Sequence, residues 1–241
     1  MDCERAVRRS EELVAGLDGC RAGWVMALLP TAPGGPAARL ELVDDLHQLV
    51  ERLRQGLISA AAIDIPIGLP ATGPRPVDVE ARRLLGPRRN SVFPAPVRSV
   101  LQAENYVDAC DISRAVSGRA ISRQLFAILP KIREVDDVQT AAIQDTFFEM
   151  HPELSFAQLA GAPMRFHKRT REGRRERLDA LRDAIPGSDA LAATRVRGSR
   201  PDDVLDALVG AWTAGRYASG THVRFGGGEV DERGLRMEVV A

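Results

Sequence analysis

Five carboxylates stand where a metal-dependent hydrolase would need them. Asp18 ends a short apolar run and is followed by Gly19. Asp64 interrupts the apolar run Ala60 to Ile65, and Glu149 closes the run that begins at Thr146. Asp203 and Asp206 are three residues apart on one predicted helix, so both project from the same side of it. Hard oxygen donors with no cysteine and little histidine beside them suit Mg2+ or Mn2+ rather than zinc. The corresponding chemistry is phosphodiester hydrolysis, in which two divalent ions about 3.5 to 4 Å apart activate a water and stabilise the leaving oxygen. Asp18 is the candidate bridging ligand, because a strand end fixes it and Gly19 keeps the approach open. His151, two residues after Glu149, would orient a ligand or shuttle a proton. Each residue also has a plainer reading. Asp18-Gly19 is equally a turn, Asp64 a partner in a buried salt bridge, Asp202 and Asp203 helix caps, and Glu149 and His151 a surface charge and a packed histidine.

The elements that must position these residues follow from periodicity. Leu13 to Leu17 and Trp24 to Leu29 are apolar runs on either side of a glycine-bearing turn and predict a hairpin. Leu40 to Val43 predicts a third strand. Leu46, Leu49, Val50 and Leu53 recur at helical spacing, and Ala60 to Ile65 predicts a buried strand bounded by Pro66. From about 67 to 145 the pattern loosens into proline-rich loops and helices near Val77 to Leu85, Ala103 to Val116 and Ser122 to Val135, the last kinked or split at Pro130. Thr146 to Met150 predicts a fifth strand. After Pro201, Val204, Leu205, Leu208, Val209 and Trp212 mark the buried face of a final helix, followed by a glycine-rich tail. Three antiparallel strands, a helix, a parallel strand, an insertion, a strand and a last helix is the order of the ribonuclease H-like α/β fold. We therefore expect one such domain over 1–241, with a mainly helical insertion at about 67–145. In an open sheet of this kind, residues at the carboxyl ends of central strands face the ligand crevice.

Composition narrows the partners. Lysine plus arginine and aspartate plus glutamate number 33 each, so no overall field draws the chain to nucleic acid or membrane and any charged site is local. No run reaches the roughly 18 to 20 apolar residues of a membrane span. Met1 to Glu12 is polar, without the apolar core of a secretory signal, and reads as a frayed leader. Cys3, Cys20 and Cys110 are odd in number and lack a CxxC pair, so a reducing cytoplasm is expected. The basic stretch containing Arg165, Lys168, Arg169, Arg174 and Arg175 would attract phosphates of DNA or RNA. Glu172 and Glu176 interrupt it, so a solvated helical face is an equal alternative. Aromatic residues are 5% of the chain, too few for extended stacking platforms.

Several segments taken together carry a resemblance. They are Gly16-Leu17-Asp18-Gly19-Cys20-Arg21-Ala22-Gly23-Trp24, Ile63-Asp64-Ile65-Pro66-Ile67-Gly68-Leu69-Pro70 and Ser91-Val92-Phe93-Pro94-Ala95-Pro96. Lys131-Ile132-Arg133-Glu134-Val135-Asp136 and Glu149-Met150-His151-Pro152-Glu153 complete the set. Over nearly the whole chain they resemble domain-of-unknown-function family 429, described as predicted ribonuclease H-like nucleases. The resemblance implies that fold and an acidic site including Asp18 and Asp64. Asp203-Val204-Leu205-Asp206-Ala207-Leu208 also looks like the metal-binding final helix of RuvC-type resolvases, with Asp64 standing where a glutamate is usual. The expectation is a metal-dependent nuclease with a two-ion carboxylate site. The alternatives are a non-catalytic nucleic-acid or protein-binding module on the same fold, and a nucleotide phosphoryl-handling protein of the actin and sugar-kinase type.

Overall fold

The structure is a computed structural model that describes residues 12–241. The other residues of the predicted leader, and Cys3, lie outside the described residues. The described chain divides into two compact units, one formed by 12–64, 146–223 and 240–241 and the other by 65–145 and 224–239.

The first unit is a five-stranded sheet covered by helices. Strands β1 (Leu13–Cys20) and β2 (Gly23–Pro30) pair antiparallel from Leu13↔Pro30 to Cys20↔Gly23. The turn is therefore Arg21-Ala22, and Asp18 lies inside the strand, not in the turn that Asp18-Gly19 could have formed. Strand β3 (Arg39–Val43) adds antiparallel to β2. Helix α1 (Leu46–Arg54), capped by the Asp45 carboxylate on the His47 N–H at 2.9 Å, then carries the chain to β4 (Ile58–Ile63). Strand β4 pairs parallel with β1, and β5 (Phe147–Glu149) parallel with β4, giving the order β3-β2-β1-β4-β5. This mixed sheet, three antiparallel strands followed by parallel ones, is that of the ribonuclease H-like fold.

Strands β1, β2 and β4 are buried almost throughout, which accounts for their near-continuous apolar sequences. Helices α5 (Pro152–Ala160), α6 (Arg171–Ala184), α7 (Ser188–Ala193) and α8 (Pro201–Ala218) complete this unit. Pro152 and Pro201 open α5 and α8, where their fixed φ suits the first turn and their missing N–H is no loss. Val14, Ala62, Phe148 and Met150 share one core cluster with Leu208 and Val209 of α8. At Gly16 the helix meets bare backbone: a Cβ there would lie 2.0 Å from Ala211 N and 2.2 Å from Ala207 O.

The second unit holds α2 (Pro76–Leu85), α3 (Tyr106–Ser117), α4 (Arg123–Val138) and the hairpin β6 (Arg224–Val230) and β7 (Arg236–Val240), apart from Val240, the last residue of β7. Helix α4 runs through Pro130 without a break, because Leu129, Ile132 and Val135 bury its face on either side. The stretch read as a glycine-rich tail is this hairpin, with Gly226 and Gly227 at positive φ inside β6. Buried Arg75 donates to Asp78 Oδ1 at 2.6 Å and to the Ile67 carbonyl at 3.0 Å, while Asp78 Oδ2 accepts from the Ala95 amide at 2.8 Å. Asp231 likewise gathers the amides of Leu69, Arg233 and Leu235 and the Arg98 guanidinium. Within this unit lies a cavity of about 540 Å³, lined by Phe93, Pro94, Pro96, Val97, Ile121 and Leu125 among others. The Ser113, Ser117 and Ser122 hydroxyls on its wall bond to protein groups. Among the described residues no helix is long and apolar enough to cross a membrane.

Candidate metal centre

The register of three elements brings three carboxylates together. Leu17 of β1 pairs with Ile63 of β4, and the Asp64 N–H continues the ladder by donating to the Leu17 carbonyl at 3.1 Å. Asp18 and Asp64 therefore leave adjacent strands at the same level. Side chains alternate along a strand, so Asp18 emerges on the side of Gly16, which is the side covered by α8. Gly210 of α8 meets Gly16, its own would-be Cβ lying 3.1 Å from Gly16 Cα. Asp206 is one helical turn before Gly210 and so comes over Asp18. Ligand oxygens of Asp18, Asp64 and Asp206 all lie within 4.8 Å of one another.

Electrostatics set this trio apart. Asp18 is 8% exposed and Asp206 fully buried, while Asp64 is half-buried. Burial, then the like charges of Asp206 and Asp64, hold the Asp18 carboxyl well above the ordinary carboxylate range. Burial raises Asp64 too, opposed by His151 and Lys168. Asp206 is pushed up to about 6 by burial, against the pull of the Lys168 ammonium. Lys168 Nζ donates to Asp206 Oδ2 at 2.5 Å. Burial alone would favour its neutral amine, but the carboxylates of Asp206, Asp18 and Asp64 outweigh this and keep it charged.

Asp206 Oδ1 is buried and has no hydrogen-bond partner. A buried carboxylate oxygen in that state is costly unless something cationic meets it. Three hard oxygen donors, one of them orphaned, and an excess of negative charge could hold a metal ion. Asp18, Asp64 and Asp206 are the residues that would hold it.

The remaining predicted residues fall elsewhere. Glu149 pairs with Ile63, so alternation sends its side chain to the face of Leu17 and Ile63, opposite Asp18. The Asp203 carboxylate accepts the Arg200 N–H at 2.7 Å, capping α8; burial raises its carboxyl and that N–H opposes the rise. His151 occupies the N-cap position of α5, near enough to Asp64 to act on its charge. Of the basic stretch, Lys168 enters the acidic centre and the arginines find local partners. Arg165 bonds Glu176 at 3.3 Å, Arg169 lies 3.9 Å from Asp202, Arg174 donates to the Arg169 carbonyl at 2.8 Å, and Arg175 lies 3.8 Å from Asp179. Lys168 was legible in the sequence only as one of several phosphate-attracting cations. No spacing signal ties it to Asp206, 38 residues away. Arg177 and Glu153, both buried, form an ion pair that the sequence pattern also left unmarked.

A family model described as Protein of unknown function (DUF429) matches residues 16–230, a span that includes all three carboxylates and Lys168. No curated protein and no solved structure matches the chain.

Proposed function

We propose that this chain, which belongs to the family of unknown function matched over residues 16–230, is a divalent-metal-dependent nuclease that hydrolyses a nucleic-acid phosphodiester. The observation that carries the reading is the buried group Asp18, Asp64 and Asp206 with its orphaned Asp206 oxygen. A divalent ion bound there supplies a Lewis acid for the phosphoryl oxygen and lowers the pKa of water. Asp18, held by the ladders on both sides of β1, gives the centre its rigid ligand. Asp64 is the most accessible of the three, which in this reading lets it face the substrate. In this reading His151, whose charge acts on Asp64, takes or returns a proton as water attacks phosphorus and the ester oxygen leaves. Lys168 offers an ammonium to a non-bridging phosphate oxygen. Exposed Arg165, Arg169 and Arg175 are available to the flanking backbone in spite of their local partners. A reducing, cytoplasmic setting belongs to this reading.

The test is cleavage of single- and double-stranded DNA and RNA by the full chain with Mg2+ or Mn2+. Chelator should abolish the activity and Asp18→Asn should lower it at least about 100-fold, since even residues that merely orient ligands lower metal-dependent activity by 10- to 100-fold. Equal residual cleavage by both proteins would sink the assignment. Binding that survives chelator without any cleavage would point instead to a non-catalytic module.

A further inference from the structure

The expectation of two ions meets a charge problem in this centre. Asp18, Asp64 and Asp206 carry three negative charges when ionised, and Lys168 returns one positive charge, leaving a net of two negatives. One divalent ion neutralises that sum. A second would leave two uncompensated positive charges among groups of which Asp18 and Asp206 are buried.

The donor atoms are divided in the same way. Asp206 Oδ2 is committed to Lys168 Nζ at 2.5 Å, whereas Asp206 Oδ1 is buried without a partner. Each neighbouring carboxylate has an oxygen, or its whole side chain, engaged away from the trio. Glu149 projects from the opposite face of the sheet, Asp203 Oδ2 holds the Arg200 amide, and Glu153 Oε1 holds Arg177. Lys168 itself is about a third exposed, so its side chain links the buried centre to solvent.

Resting on the metal-centre reading above, we propose that Lys168 is the resident second cation of this centre. The site takes one divalent ion, at Asp18, Asp64 and Asp206 Oδ1. The Lys168 ammonium supplies the positive charge that a second ion would otherwise bring to the substrate phosphate.

Titration of the metal-stripped full chain with Mn2+, counting bound ions by electron paramagnetic resonance and following heat by calorimetry, tests this without measuring turnover. The wild-type chain should bind one ion. Lys168→Met, which keeps the length but not the charge, should bind a second ion or bind the first at least about tenfold more tightly, and Lys168→Arg should behave as wild type. Two ions in the wild-type chain would overturn the role of Lys168 while leaving the metal centre standing, as would Lys168→Met with unchanged count and affinity. No binding by the wild-type chain would overturn the metal centre itself and this inference with it. If circular dichroism shows that Lys168→Met does not fold, the wild-type count and the Lys168→Arg titration decide the matter.

Discussion

Asp18 sits between two strand ladders with its carboxyl buried, and ionising it places a charge beside Asp206 and Asp64. Folding therefore raises the carboxyl pKa of Asp18, and burial does the same to Asp206, from 3.8 to about 6. The folded chain then holds protons that the unfolded chain has released, so stability falls as pH rises through that window. For Asp206 the loss runs from about pH 4 to about pH 6 and is complete above it. Replacing Asp18 by Asn removes one of the mutually repelling charges. In chelator at pH 8 the variant should melt a few degrees above wild type, the response to ~1 kcal/mol in a chain of this size. The gap should close as pH falls below the ordinary carboxyl value of 3.8, where the carboxyls become protonated in both states. Saturating Mn2+ should reverse the order, because wild type gains about 2.7 kcal/mol at an ion concentration 100 times Kd. Calorimetric scans across pH check this. A lower melting temperature for Asp18→Asn at pH 8 in chelator would contradict it.

At the scale of elements, the centre depends on how closely α8 approaches β1. Gly16 and Gly210 remove two side chains at the crossing, and Ala207 and Ala211 keep the rest of the contact small. The approach sets Asp206 over Asp18, so the same glycines serve packing and chemistry. A Cβ at Gly16 would meet backbone atoms at 2.0 and 2.2 Å, and backbone cannot turn aside as a side-chain end can. Gly16→Ala should cost about 3 kcal/mol, the upper end for an overpacked core, seen as a lower urea midpoint. Because relief requires α8 to move out, Mn2+ affinity should fall with it. A variant that loses stability but binds Mn2+ as wild type does would show that the crossing does not position Asp206.

Over the whole molecule, each unit has its own buried polar anchor. In the first, Arg177 of α6 reaches Glu153 of α5, and its Nη1 also donates to the Phe166 and Gly173 carbonyls at 3.1 and 3.0 Å. Arg177→Met leaves Glu153 charged and buried, which should cost about 3–5 kcal/mol in urea unfolding. Adding Glu153→Leu should recover most of that loss, since a buried pair replaced by apolar groups of similar size is often close to neutral. Failure of the double variant to recover would mean that the carbonyl contacts of Arg177, not its charge pairing, hold the helices. In the second unit, Asp231 joins residues more than 160 positions apart in sequence through the Leu69 amide. Burial opposes its ionisation, but the amides of Leu235 and Leu69 and the Arg98 guanidinium prevail and lower its carboxyl.

Local pattern was enough to make β1, β2, β4 and α8 legible, because period-two and period-3.6 burial are written residue by residue. It also marked Asp18, Asp64, Glu149, Asp203 and Asp206 as candidate ligands, with a turn, a salt bridge or a helix cap as the plainer reading of most of them. It could not choose among the five acids. That choice turns on strand register, which puts Glu149 on the wrong face, and on a capping bond, which takes Asp203. Nor could it place Lys168, whose loop folds back onto Asp206 across 38 residues, or recognise β6 as a strand when three successive glycines erase its alternation. The physical reason is the same in each case. Short-range sequence fixes which way a segment prefers to fold, whereas the meeting of charges from distant segments is set by register, helix approach and loop path, and these exist only once the core has closed.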